Sequence, residues 1–258
     1  MSVYALILAG GAGTRFWPAS RARRPKQLLP LASESPLIVE TIERILNLVG
    51  GWKNVFIASG TAVAAPTLEM LPQLPKNNLL VEPTPRNTAP CIAWAAATIA
   101  RIDPDAVVVV LPSDHHIEKT DAFRAALDLA IATAQNGTIT TIGLTPTRPD
   151  TGYGYIELSD GSGAVRDVAR FTEKPNRETA EGFVRGKKHL WNAGMFIFRA
   201  KDMLHAVETH LPLLADGLRK LDWFKPTSEL EGTGPRWRAN SASVPRTRFR
   251  KRASGSAR

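Results

Sequence analysis

VYALILAGGAGTRFWP, residues 3–18, passes from a strand-length run of apolar side chains straight into a glycine cluster and then an arginine. A parallel strand covered on both faces has this composition, because nothing obliges its side chains to alternate between apolar and polar. Gly10, Gly11 and Gly13 follow. Glycines after the first strand of an α/β sheet let backbone N–H groups converge on a phosphate, although a glycine cluster alone is equally a tight turn. Spacing excludes two phosphate-binding loops. A Walker A loop needs Lys and then Ser or Thr after its glycines, where this chain has Gly13-Thr14-Arg15. Counted from Gly11, the dinucleotide fingerprint places Phe16 at its third glycine, where a ring obstructs helix–strand packing.

Outward from this stretch, apolar runs of strand length alternate with amphipathic segments of helix length, which predicts an α/β fold with a mainly parallel sheet and helices on both faces. Strands are expected at residues 4–9, 54–58, 79–81, 107–111 and 138–142, and helices at 36–48, 62–70, 88–102 and 121–135. Ser35 and Asp121 sit at the expected N-caps, and Gly50 and Gly137 at the helix stops. After Asp150 the texture changes. Residues 153–158 and 165–172, separated by the turn formers at 159–163, predict an antiparallel insertion that opens a second lobe. A strand at 195–199 and a helix at 200–208 follow, and recognisable structure ends near Phe224.

The composition, 43% hydrophobic and 22% charged over 258 residues, is that of a globular chain able to bury a full core. No apolar run is long enough to cross a bilayer, and the N-terminus has no basic segment ahead of its apolar run, so a cytoplasmic location is expected. The single Cys91, in an Ala-rich run, excludes an internal disulfide and reads as a small buried hydrophobe. The net charge of +9 is uneven: residues 225–258 hold nine of the 33 basic groups and two of the 24 acidic ones. Basicity therefore belongs to the tail and does not mark the body as a specific nucleic-acid binder. That tail has no hydrophobic period and is rich in Pro, Ser, Gly and Arg, so disorder is expected there.

GGAGTRFWP followed by Pro25-Lys26, then EPTPRNTAP (82–90), LPSDHHI (111–117), TGYGYIE (151–157), FTEKP (171–175) and WNAGMFIF (191–198), resembles in order the motifs of the sugar-phosphate nucleotidyltransferases. The RNTAP, LPSDH and WNAGMF forms are most similar to those of the bacterial mannose-1-phosphate guanylyltransferases. The resemblance covers about residues 3–205 and implies a Rossmann-like nucleotidyltransferase fold. It further implies the joining of GTP and α-D-mannose 1-phosphate to give GDP-mannose and diphosphate.

The chemistry fits the residue types that the motifs supply. A sugar phosphate with a second pKa of about 6 is already largely dianionic near neutrality, so no general base is needed and catalysis becomes positioning and charge neutralisation. The resemblance assigns Arg15 to the departing phosphates, Lys26 to the α-phosphate, and Lys174 to the sugar phosphate, with Glu173 accepting from sugar hydroxyls. Gly10, Gly11, Gly13 and Thr14 would line the nucleotide phosphates, Glu82, Arg86 and Asn87 would lie beside the nucleotide, and Gly154, Asn192 and Gly194 would contact the sugar. Asp114 closes a valine-rich strand at the edge where α/β folds place ligands, and a carboxylate there suits Mg2+. The neighbouring His115 and His116 are disfavoured as a transition-metal pair, since adjacent residues on an extended segment diverge.

The match stops after WNAGMF. The family pattern continues with a segment like GWSDVGSW, whose aspartate is a second metal ligand, and this chain lacks it. The expectation is therefore a nucleotidyltransferase domain over 1–224, incomplete at its C-terminal end and impaired in turnover. The basic tail over 225–258 has the composition that out-of-frame translation of a GC-rich gene produces; a genuine anion-contacting tail is the alternative. Two other functions stay open, a non-catalytic nucleotide-binding remnant and transfer to another sugar 1-phosphate. A homo-oligomer is compatible with the sequence, and no membrane partner is expected.

Overall fold

The first apolar run forms strand β1 (Val3–Leu8), whose side chains enter two cores in turn: Ala5 and Ile7 on one face, Tyr4 and Leu6 on the other. Strands β2 (Val55–Gly60) and β4 (Val107–Pro112) flank β1 in parallel, and β3 (Leu79–Glu82) lies parallel beyond β2. The long β8 (His189–Arg199) runs antiparallel beside β4, and β5 (Ile139–Leu144) pairs antiparallel with β8, so β1 to β5 all point the same way. The computed structural model describes residues 1–10, 19–21, 25–84 and 87–221, and the backbone of 251–254.

Helices α1 (Leu37–Val49), α2 (Thr61–Met70) and α4 (Thr120–Gln135) cover one face, with Ile38, Ile42, Ile45, Leu127 and Ala130 in the core. Helices α3 (Thr88–Ile102) and α6 (Ala200–His210) cover the other, through Ile92, Ala95, Ile99 and Ala200. Helix α7 (Pro212–Arg219) packs outside them with Leu214 and Leu218. The expected α/β architecture is therefore present, with the first five strands and four helices displaced by no more than a few residues. Gly50 ends α1 in the left-handed region as expected, whereas Pro36 and Lys119 occupy the N-cap positions assigned to Ser35 and Asp121. None of the described helices is long and apolar enough to cross a membrane.

The insertion is also antiparallel: β6 (Tyr155–Leu158) pairs with β7 (Val165–Thr172) and with the start of β8. Four elements depart from the sequence-based expectation. Strand β8 begins at His189 rather than at 195, and helices α5 (Arg177–Gly186) and α7 were not anticipated. Within the tail expected to be disordered, β9 (Lys251–Ser254) lies between β5 and β7, giving the sheet order β3-β2-β1-β4-β8-β5-β9-β7-β6. A strand bonded on both sides satisfies its main-chain groups whatever its side chains, which is why composition alone did not reveal it.

A register shift in the β5–β8 ladder falls between Thr141 and Gly143, where the insertion joins the main sheet. A Cβ at Gly143 would stand 2.6 Å from Leu190 Cδ1 and 3.0 Å from Leu190 Cβ. Gly143→Ala is accordingly expected to destabilise the fold by about 1–3 kcal/mol, the usual cost of overpacking. Urea unfolding measures it, and an unchanged midpoint would show that Leu190 withdraws freely.

Candidate functional site

Main-chain hydrogen bonds fix the end of β1. Ala9 N donates to Ala58 O at 2.8 Å, and Ser113 N donates to Leu8 O at 3.1 Å, so the carboxyl ends of β1, β2 and β4 form one edge. Gly10 stands there; Gly11, Gly13, Thr14 and Arg15, and likewise Arg86, lie outside the described residues. The buried Gln27, 3% exposed, donates through Nε2 to Ala9 O at 2.7 Å. That bond moors a short 3-10 turn, Lys26–Leu28, against the end of β1.

Lys26 is thereby delivered to Asp114, two residues beyond the end of β4, and the two side chains form an ion pair through Lys26 Nζ and Asp114 Oδ2. The motifs single out both residues, and the structure brings them together. The Asp114 segment is held from α1 as well. His116 Nδ1 lies 3.4 Å from Glu40 Oε2, and the Ser33 hydroxyl donates to Glu40 Oε1. The Ser33 bond, with His116 and Arg44 adding to it, keeps the Glu40 carboxyl below the usual range despite some burial. Burial pushes the imidazole of His115 down from its ordinary value, against the pull of Asp114, which favours its neutral form. His116 faces Glu40 and His115 faces Asp114, the divergence expected of adjacent residues.

Glu82 ends β3 on the same edge, its Oε2 3.9 Å from where a Cβ on Gly10 would be. Burial raises the pKa of this half-buried carboxyl. Cys91, one turn into α3, is pushed up to about 12 by burial and then by the charge of Glu82, which makes it an inert thiol, as read from the sequence. Asn87 serves a local purpose: its Oδ1 accepts from Thr88 N at 2.8 Å and caps α3.

A second group gathers where the insertion meets β8. Asn192 N donates to Gly154 O at 2.8 Å. A Cβ on Gly154 would stand 2.7 Å from the Phe171 ring and 3.0 Å from Glu173 Oε2, so the absence of a side chain admits both. Asn192 Oδ1 accepts from Thr141 Oγ1 at 3.1 Å and from Gly194 N at 3.2 Å, which fixes its amide. Gly194, with φ of 69°, abuts Pro112 two residues before Asp114 and so connects the two groups. Lys174 has φ of 42°, rare for a residue with a side chain, and its Nζ lies 3.3 Å from Glu173 Oε1. Both side chains remain mostly exposed.

Gln27, Glu40 and Thr141 were not identified from the sequence. Each acts by positioning another residue across the fold, and a lone polar residue beside Lys26 or inside an amphipathic helix carries no local signal of that. Among the described residues no three His, Cys, Asp or Glu side chains converge on a metal position. Asp114 nevertheless fits a hard divalent cation: its carboxylate already draws a positive charge, and phosphate oxygens and water could complete the coordination. A cavity of about 320 Å³ between α3, α6 and α7 is lined by none of the predicted site residues among the described ones.

Residues 4–238 match the family model for nucleotidyl transferase. The chain is 42% identical over 220 residues to the xanthan biosynthesis protein XanB of Xanthomonas campestris pv. campestris strain B100, covering 84% of this chain and 46% of that protein. It is 40% identical over 227 residues to the mannose-1-phosphate guanylyltransferase of Escherichia coli strain K12, covering 84% of this chain and 47% of that one. This chain thus spans about half the length of these relatives. A crystal structure from Thermus thermophilus, described as a mannose-1-phosphate geranyltransferase, superposes with a TM-score of 0.86 at 32% identity, covering 99% of this chain and 74% of the other.

Proposed function

From the premise that this chain belongs to the nucleotidyl transferase family, we propose that it transfers a guanylyl group from GTP to mannose 1-phosphate. The observation that carries the reading is the meeting of Lys26 and Asp114 beside the carboxyl end of β1, with the Gly154–Glu173–Asn192 group joined to the same edge through Gly194 and Pro112.

In the reaction an oxygen of the sugar phosphate attacks the α-phosphorus of GTP. A new P–O bond forms, the bond from the α-phosphorus to the bridging oxygen breaks, and diphosphate leaves with the electron pair. The nucleophile is already ionised, so no protein base takes a proton. Lys26 neutralises charge growing on the α-phosphate, and Arg15 binds the β- and γ-phosphates. Lys174 aligns the sugar phosphate, Glu173 accepts from sugar hydroxyls, and Asn192, fixed by Thr141 and Gly194, presents its amide group to them. Asp114 would hold Mg2+, whose contribution when bound is to offset phosphate charge.

Glu82 supplies the base specificity in this reading. Guanine offers two adjacent donors, the ring N1–H and the exocyclic amine, which match the two oxygens of one carboxylate; adenine places an acceptor beside its donor. Glu82→Gln is expected to weaken GTP binding about 10-fold or more, as loss of a charge-assisted bond does, and to narrow the preference over ATP. The same change should leave the fold at least as stable at neutral pH, since a raised pKa marks the charged form as the costly one in the folded state. Calorimetric titration with both nucleotides and thermal melting check the two halves; undiminished selectivity would remove Glu82 from the base pocket.

Release of diphosphate from GTP and mannose 1-phosphate in the presence of Mg2+ tests the whole reading. Turnover that is specific for both substrates is expected. Equal binding of all four nucleoside triphosphates would overturn the guanylyl assignment, and release with glucose 1-phosphate alone would overturn the sugar.

A further inference from the structure

We propose that Lys26 is the resident counter-ion of Asp114, and that it must leave this carboxylate when a divalent cation binds there. The inference rests on the reading above for the role of the freed lysine, but the competition itself is a property of the two side chains.

Lys26 Nζ contacts Asp114 Oδ2 directly, with the side chains only 31% and 24% exposed. Solvent therefore screens the pair less than a surface ion pair. The backbone of Lys26 has little freedom: Gln27 is bonded to Ala9 O, Leu28 and Leu29 are buried, and Leu28 N and Leu29 N donate to Pro25 O and Lys26 O at 3.0 Å. What can move is the four-carbon stem, which swings an ammonium several ångströms without disturbing the turn. Asp114 is moored in turn by Ser113 N to Leu8 O, and by His116 to Glu40.

The carboxylate thus stays in place while the lysine can depart. A carboxylate that holds an ammonium on Oδ2 takes a dication on its other oxygen only against repulsion between the two cations, so ion pair and metal compete. Departure of Lys26 relieves that repulsion. Before the cation arrives Lys26 is engaged with Asp114; afterwards the phosphate group that the cation accompanies competes for its charge. Lys26 thereby becomes available to substrate only on a loaded site, so its charge is not spent on nucleotide that arrives without metal.

The test is Mn2+ binding to the full chain without nucleotide, followed by electron paramagnetic resonance. Lys26→Met keeps the stem and removes the charge, and it is expected to tighten Mn2+ binding about tenfold, the scale of one partly exposed ion pair. Affinity that is unchanged or weaker in Lys26→Met overturns the proposal. Asp114→Asn should lose the same binding; if it does not, Asp114 is not the metal residue and the broader reading of the site fails instead. A measurement on the unmodified chain covers the case in which Lys26→Met fails to fold. Acetylation of Lys26, mapped by mass spectrometry, should accelerate on addition of Mg2+ relative to Lys188, which is paired with Asp160 well away on the insertion. A rate at Lys26 that stays constant or falls would show that the ammonium is never released.

Discussion

Asp114→Asn is expected to lower turnover roughly 1,000-fold, the scale on which removing a fixed charge from a reacting phosphate centre acts, while leaving the thermal unfolding midpoint nearly unchanged. The side chain lies beyond the end of β4, whose residues Val107 to Val110 are secured by β1 on one side and β8 on the other, so the sheet does not depend on it. Asparagine keeps the shape and loses the charge. The divalent cation then loses the carboxylate that we assign to it, and with it the charge it would bring to the α-phosphate, whereas Lys26 no longer has to leave Asp114 to act there. Because Lys26 and the cation act on the phosphates separately in this reading, the double variant Asp114→Asn, Lys26→Met should be clearly worse than Asp114→Asn alone. Diphosphate release for the single and double variants decides it. A double variant no worse than Asp114→Asn would show that Lys26 contributes nothing without that carboxylate, and full activity in Asp114→Asn would place the chemistry elsewhere.

The same pair shows how far the sequence could be read. Strands β1 and β4 are continuous apolar runs bounded by glycine or by Pro-Ser-Asp, and helices such as α1 carry an apolar face at helical spacing; these features are local and are legible as such. Motif order then points to Lys26, Asp114, Glu173 and Asn192. What stayed hidden depends on distant partners. Helix α5 buries only Ala180 fully and contains Gly182 as well as charged residues, so its apolar signal is weak. The first residues of β8, His189 to Asn192, are half-buried and mix aromatic and polar side chains, because they pair with the insertion strand β6 on one side and only at Trp191 and Asn192 with the end of β5 on the other. Phe183 stacks on His189 at 3.8 Å, a pairing across two elements that neither segment announces. Gln27 is the sharpest case: buried and bonded to Ala9 O, it sets where Lys26 stands, yet in sequence it is one polar residue in a loop.

The expected result at Lys174 separates the backbone from the side chain. Replacement by Ala or by Gly should each lower turnover about 100-fold, because both remove the ammonium that we assign to the sugar phosphate and so misplace the nucleophile. The two variants should part company in stability. At φ of 42° a residue with a Cβ is strained by roughly 1–2 kcal/mol, and alanine retains that strain. Glycine relieves it but adds about 0.5–1 kcal/mol of unfolded-state freedom, so at this position Gly should be as stable as Ala or more so. At an ordinary position the order is the reverse. The contact with Glu173 does not blur the comparison, since both variants lose it and it is mostly exposed. Urea unfolding of the two variants gives the order directly. If Lys174→Gly proves the less stable, the left-handed backbone stores no strain, and the geometry at Lys174 then follows from the Pro175-Asn176 entry into α5 and not from a constraint imposed by the site.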